Sequence, residues 1–262
     1  MAYGDILYEV EDGVARLTIN RPEVYNAFRS QTLQELTHAY EQLLDDRQVG
    51  VVVLTGTGEK AFCAGGDVNE EAKGWLEGRG GELETKALYA AMRASLKPTI
   101  ARVNGYSIGG GNHLAYLCDF SVAADHAIFG QNGPRVGSPA QGWLVSYLVR
   151  VVGAKRAREM WMLCRRYTAQ EMLAWGLVNA VVPYPDLDAE VARWCDDILA
   201  LSPSVIKVVK RTFDAEYEQL REYQDNQDYL EEINPGFFES GEQLEGANAF
   251  LEKRRPDFSP WR

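Results

Sequence analysis

The 262-residue chain is 46% hydrophobic and 25% charged, proportions of a globular protein with enough chain to bury a substantial core. Its formal net charge of -11 argues against a nucleic-acid or membrane-surface partner, since both need a positive footprint, and an anionic ligand then needs a local basic cluster. No run approaches the roughly 20 apolar residues that span a bilayer, and Met1 to Asp5 has no basic segment leading into an apolar stretch, so a cytoplasmic location is expected.

Residues 6–10 and 14–19 read as two strands joined through Glu11-Asp12-Gly13, the Asp-Gly pair supplying tight-turn chemistry. A helical pattern follows through Leu33, Leu36, Tyr40, Leu43 and Leu44, with Thr32 and Glu35 spaced as a capping box. Val51 to Leu54 is wholly apolar and ends in Thr-Gly-Thr-Gly, which suits a strand buried on both faces. The polar, glycine-spaced stretch from Val68 to Gly81 reads as a long loop, a candidate lid or a surface excursion.

A helix around Leu88 to Leu96, a strand over 99–103, a glycine-rich turn, a short apolar helix through Cys118 and a strand over 120–123 come next. Thr168 and Glu171 form a second capping-box pattern, Gly176 is placed to end that helix, and 177–182 reads as a strand. From about Asp186 onward the patterns are almost entirely helical. Strands alternating with helices predict an α/β layered core. Cys63, Cys118, Cys164 and Cys195 show no C-x-x-C spacing and read as reduced structural thiols. His38, His113 and His126 lack ligand spacing, so no metal site is expected, and the absence of G-x-S-x-G argues against a serine hydrolase.

Two segments carry most of the functional signal: Ala61-Phe-Cys-Ala-Gly-Gly-Asp67 and Asn104-Gly-Tyr-Ser-Ile-Gly-Gly-Gly-Asn112. Each follows a predicted strand, and its glycines let the backbone approach a ligand with amide hydrogens unpaired. Two such turns can share one oxygen, which gains from them as it acquires negative charge. A glycine triplet alone equally permits tight helix–strand packing. Neither segment is a dinucleotide fingerprint, for want of G-x-G-x-x-G opening a helix.

Together with R-P-E-x-x-N-A-F (21–28), A-I-F-G-Q (127–131) and G-L-V-N-A-V-V-P (176–183), these segments resemble the crotonase (enoyl-CoA hydratase/isomerase) superfamily in order and spacing over nearly the whole chain. The resemblance implies a ClpP-like spiral of β-β-α turns over about residues 1–200 and a C-terminal helical trimerisation region over 201–262. It also implies a homotrimer, or a homohexamer built as a dimer of trimers. The implied ligand is an acyl-CoA, with no tightly bound cofactor and coenzyme A present as part of the substrate thioester.

By motif position the oxyanion hole falls on the amides of Gly66 and Gly110. Coenzyme A falls along Val24, Tyr25, Ala64, Gly65, Asp67 and Val68, with Lys253 and Arg254 in the basic tail as phosphate contacts, on a neighbouring subunit or as an ordinary helix end.

G-Q-N-G-P-R-V-G-S (130–138) and A-R-E-M-W-M-L-C-R-R-Y (157–167) resemble a narrower group, the 2-ketocyclohexanecarboxyl-CoA hydrolase and the 1,4-dihydroxy-2-naphthoyl-CoA synthase. The chain departs from both this group and the hydratases. The two glutamate positions of the hydratases hold His113 and Gly133, and the aspartate and tyrosine of the ring-forming and ring-opening group are replaced by Ala140 and Phe238.

His113 is then the candidate proton carrier, or else a packed helix histidine. Ser138, Gln131, Asn132 and Gln141 fall near the acyl end as orienting groups or turn residues. Trp75, Trp143 and Phe238 are candidate pocket walls, beside the side-chain-free Gly133. The expected activity is hydrolytic carbon–carbon cleavage of an alicyclic 2-oxoacyl-CoA. The alternatives are hydration of a cyclic enoyl-CoA, a naphthoyl-CoA-type ring closure, or acyl-CoA binding without catalysis.

Overall fold

The computed structural model describes residues 3–74 and 80–262. The chain opens with β1 (Ile6–Glu11) and β2 (Val14–Ile19), an antiparallel hairpin turned at Asp12 and Gly13, both of positive φ. Next come α1 (Ser30–Gln42), β3 (Val51–Gly56), β4 (Ala61–Cys63), α2 (Val68–Ala72) and α3 (Gly80–Ala94). β5 (Thr99–Val103), β6 (Tyr106–Ile108), α4 (Gly110–Leu117), β7 (Phe120–Ala124) and β8 (Ile128–Gly130) follow. α5 (Gly133–Val136), α6 (Trp143–Val152), α7 (Ala154–Leu163), β9 (Tyr167–Thr168), α8 (Ala169–Trp175) and β10 (Ala180–Val182) complete the strands. The last helices are α9 (Leu187–Leu199), α10 (Pro203–Glu216), α11 (Glu218–Asp225), α12 (Tyr229–Ile233) and α13 (Glu242–Leu251).

The strands form two sheets, one in the order β1-β2-β3-β5-β7-β10 and a smaller one in the order β4-β6-β8-β9. From β2 to β10 the larger sheet is parallel, as is β4-β6-β8, so each crossover moves the chain one step along both sheets. Alternation in β3 shows why its run is wholly apolar: Val52 and Leu54 enter the main core with Leu17, Phe62 and Leu36, while Val51 and Val53 pack with Leu187, Val191 and Cys195 of α9. Both faces of the larger sheet are therefore covered, as parallel sheets require.

The structure corrects four sequence expectations. First, α1 begins at Ser30. Thr32 is its third residue, accepting the Arg29 amide at 3.2 Å, and Glu35 instead accepts the backbone amides of Gly4, Asp5 and Ile6 at 2.8, 2.8 and 3.2 Å. The buried carboxylate ties the N-terminal strand to the helix rather than closing a cap. Second, the predicted strand over 177–182 is reduced to Ala180–Val182, because Leu177 and Val178 fold back with their amides on the Met172 carbonyl. Third, the predicted loop over 68–81, of which 75–79 lie outside the described residues, contains α2, capped by Asp67, whose Oδ1 accepts the Asn69 amide at 3.1 Å. Fourth, the smaller sheet was not expected, since its strands of two or three residues carry no periodicity. At Thr168 the second capping box forms as expected, Glu171 accepting the Thr168 amide at 2.7 Å, and Gly176 ends α8 with φ 84°.

Among the described residues no helix is long and apolar enough to cross a membrane. All four cysteines are buried free thiols, and burial pushes Cys63 and Cys118 up to about 12. Helices α10, α11 and α12 contain no buried residue, whereas α13 packs on α2 and α5.

Candidate active site

The loop between β2 and α1 is held by buried polar side chains as well as by Phe28 in the core. Arg21 bridges two buried carboxylates, Asp67 at 2.9 Å and Asp5 at 3.7 Å, and donates to the Ala27 carbonyl at 2.5 Å. Tyr25 and Asn26 take left-handed φ of 56° and 55°. The strain at Asn26 is offset by its side chain, which accepts the Arg21 amide and donates to the carbonyls of Thr57 and Ala61. Asn104, at the start of the second glycine motif, donates to the same Ala61 carbonyl at 3.0 Å.

The two glycine turns lie against one another. Gly65 has φ 97°, and a Cβ on it would stand 3.1 Å from the Gly110 amide nitrogen. Gly111 approaches β4 so closely that a Cβ would lie 1.9 Å from the Cys63 carbonyl oxygen. Phe28 donates to the Gly65 carbonyl at 2.8 Å and accepts from the Asp67 amide at 2.9 Å, which leaves the intervening Gly66 amide without an acceptor among the described residues. Gly110 is the first residue of α4, so its amide has no intrahelical acceptor either.

Gly66 and Gly110 share the wall of a cavity of about 420 Å³. The same wall gathers fifteen of the residues singled out in the sequence: Val24, Tyr25, Ala64, Gly65, Gly66, Asp67, Val68, Gly110, His113, Gln131, Asn132, Gly133, Ser138, Gln141 and Phe238. Gly133 opens α5, and a Cβ there would meet the Ser138 carbonyl at 2.6 Å, so its bare backbone is what lets the turn set Ser138 on the wall. Gln141 is engaged at both ends, to Asp228 at 3.3 Å and from the Leu230 amide at 3.0 Å, and fastens the start of α12.

His113 is on the wall but buried, and burial pulls its pKa down to about 3 against a weaker opposing hydrogen bond to Gln131. The neutral ring fits its partners: Nε2 donates to Gln131 Oε1 at 3.1 Å, Nδ1 faces the Tyr89 hydroxyl at 3.4 Å, and Trp161 stacks on it with centroids 5.3 Å apart. Among the described residues, three buried side-chain polar atoms of the wall-forming residues lack a hydrogen-bond partner: Gln131 Nε2, Trp161 Nε1 and Glu71 Oε2.

Glu71, Tyr89 and Trp161 were missed in the sequence. Glu71 stands on α2, 4% exposed, and burial pushes its carboxyl up to about 7, with Ser138 lowering it and the Asp67 charge adding to the rise. Its Oε1 accepts the Ser138 hydroxyl at 3.3 Å. One signal for α2 was present: Asp67 followed three residues later by Glu70 has the spacing of a helix cap.

Three expected site residues stand off the cavity. Trp143 is buried between Tyr147 and Tyr217, with centroids 5.2 and 5.5 Å away, where the first turn of α6 meets α11. Its amide still touches the site through Asp225 Oδ1 at 3.2 Å. Arg254 is taken up by Glu245 and Glu252, and the neighbouring Lys253 is exposed with φ 56°. Trp75 lies outside the described residues. Among those described, no cluster of His, Cys, Asp or Glu has the arrangement of a metal site.

The family model for enoyl-CoA hydratase/isomerase matches residues 9–260. Among solved structures, the chain is similar to an enoyl-CoA hydratase from Mycobacterium avium subsp. paratuberculosis K-10, with 27% identity over 98% of this chain and 99% of that chain and a TM-score of 0.85. An enoyl-CoA hydratase/carnithine racemase from Magnetospirillum magneticum is 30% identical over 98% of this chain and 96% of that chain, TM-score 0.78. A monofunctional enoyl CoA isomerase from M. smegmatis is 32% identical over 82% of this chain and 94% of that chain, TM-score 0.71. The first two likenesses run the length of both chains, so the C-terminal helices belong to the shared fold.

Proposed function

Since the chain belongs to the enoyl-CoA hydratase/isomerase family, we propose that its cavity takes an acyl-CoA with the thioester oxygen between the amides of Gly66 and Gly110 and carries it through an enolate. The carrying observation is that two adjoining glycine turns present unpaired amides on one cavity wall. Such donors gain strength as charge develops on the oxygen, and each is worth about 3 kcal/mol in the transition state. Coenzyme A runs along Val24, Tyr25, Ala64, Gly65, Asp67 and Val68. Lys253 is the better phosphate contact of the basic tail, because Arg254 is already paired. Association as a trimer or hexamer through region 201–262 is supported by the exposed Val205, Val208, Val209 and Phe213 of α10.

The reaction assigned to this site is ring-opening hydrolysis of an alicyclic 2-oxoacyl-CoA. Water adds to the ring ketone, the bond to the α-carbon breaks with its electron pair passing to the thioester enolate, and the α-carbon takes a proton while a carboxylate is released. Support comes from Gln131 Nε2 and Trp161 Nε1, two unpaired donors suited to a second substrate oxygen that a simple acyl group lacks. Neutral His113 acts here by fixing the Gln131 amide rather than as a base. A second reading is double-bond migration in an enoyl-CoA. It is favoured by the likeness to the M. smegmatis isomerase and by Gly133, which has no side chain to help add water.

Incubation with linear, alicyclic and aromatic acyl-CoA esters, followed by product analysis, separates these outcomes. A new free carboxylate supports ring opening, a displaced double bond supports the second reading, and a hydroxyl product points to hydration. A protein that neither binds nor converts any acyl-CoA overturns the proposal.

A further inference from the structure

Resting on the thioester site proposed above, we propose that Glu71 is the catalytic residue that carries a proton to and from the substrate α-carbon, and that Ser138 is its positioning residue. Glu71 follows Gly66 by five residues. Asp67 caps α2 directly after that glycine, so one rigid turn of helix links an oxyanion donor to the carboxyl on the same cavity wall. One oxygen of the carboxyl is fixed by the Ser138 hydroxyl at 3.3 Å, and the other has no partner among the described residues. A buried carboxyl with a bare oxygen is costly for a fold to keep, and such groups concentrate where they react.

The other carboxylates and the imidazole on this wall are engaged. Asp67 is paired with Arg21 at 2.9 Å, Glu82 with Lys86 at 2.8 Å, Asp225 Oδ1 accepts the Trp143 amide, and both ring nitrogens of His113 face partners. On α13, packed against α2, Glu245 is held by Arg254.

In the step assigned to it, the Glu71 carboxylate takes the α-proton. The C–H bond breaks, its electron pair becomes the enolate double bond, and the negative charge moves to the oxygen between the two amides. The reverse step returns the proton to carbon, and in the ring-opening direction that return delivers the proton the released enolate needs. With the carboxyl pushed up to about 7, both protonation states are available near neutrality.

The test is α-hydrogen exchange of cyclohexanecarboxyl-CoA and butyryl-CoA in deuterated water, followed by mass spectrometry, with binding of each ester measured alongside. The native protein is expected to exchange, with a rate that rises as pH passes through about 7. Glu71→Gln is expected to bind the ester as before and lose at least about 100-fold in exchange, with Glu71→Asp between the two. Ser138→Ala is expected to move the pH profile to higher pH, because the hydroxyl favours the carboxylate; loss of rate with an unmoved profile overturns the role given to Ser138. Exchange in Glu71→Gln within tenfold of native overturns the role of Glu71 alone. Binding without exchange in the native protein also overturns the Glu71 assignment but leaves the thioester site standing. Absence of binding overturns the thioester site itself.

Discussion

The ring of Phe28 occupies the space that any side chain on Gly110 would need: a Cβ there would stand 2.3 Å from Phe28 Cζ and 2.5 Å from Cε1. Phe28 is itself bonded to Gly65 and Asp67 through its backbone, so pushing the ring disturbs the Gly66 and Gly110 amides, the proposed oxyanion donors, at once. Gly110→Ala is expected to lower kcat/KM for acyl-CoA turnover by roughly a hundredfold, about 3 kcal/mol of transition-state stabilisation. Adding Phe28→Leu, which makes room, is expected to recover part of the loss. Equal kinetics for the single and double variants would show that the two residues are not coupled.

Glu71 carries a thermodynamic signature of its own. Its folded-state pKa of about 7 lies above the ordinary 4.5, so the unfolded chain ionises first and stability falls as pH rises from about 4.5 to 7. Glu71→Gln is expected to stabilise the protein by about 1–3 kcal/mol at pH 8 and to change little at pH 4.5. Urea unfolding at the two pH values measures the difference.

His113 has the opposite dependence. With its folded-state pKa near 3, the folded protein stays neutral there while the unfolded chain gains a proton below the ordinary 6.5, so stability is lost as pH falls from about 6.5 towards 3. From this residue alone the slope is up to about 1.4 kcal/mol per pH unit. His113→Gln is expected to flatten the stability curve between pH 6.5 and 5, and an unchanged slope in that variant would refute the assignment.

Among the described residues Arg21 is the one cation bonded to Asp67, and both side chains are buried. Arg21→Ala leaves a buried carboxylate without its partner and is expected to cost about 3 kcal/mol in urea unfolding. Because Asp67 caps α2, turnover is expected to fall as well, through displacement of Glu71. A variant as stable as the native chain would show the pair to be dispensable.

What the sequence made legible follows from length and spacing. The hairpin, β3, β5 and the cap at Thr168 each show either a strand pattern of five or six residues or a cap whose partners lie within three positions. The smaller sheet escaped detection as strands, yet β4 and β6 fall within the two glycine motifs, whose close backbone approaches admit no side chain. Five wall residues, Ala64, Gly65, Gly66, Asp67 and Gly110, lie in those two motifs, and the other ten came from the family resemblance. Glu71 was not found, because nothing local marks it: its burial comes from α13 and Ser138, 67 positions along the chain from it. Trp143 erred in the other direction, since an aromatic residue near a site in sequence can stack with helices some 75 residues onward instead of facing the ligand.

The Ala61 carbonyl accepts one amide group from Asn26 at 2.7 Å and another from Asn104 at 3.0 Å. It therefore serves as a single rivet through three segments: the loop that carries Phe28, the strand that leads to Gly66, and the strand that leads to Gly110. Thermal motion of any one segment is transmitted to the others as shared drift, while relative sliding requires breaking a buried bond. The spacing of the Gly66 and Gly110 amides is thereby tied to one shared acceptor, so that a shift of either turn is coupled to a shift of the other.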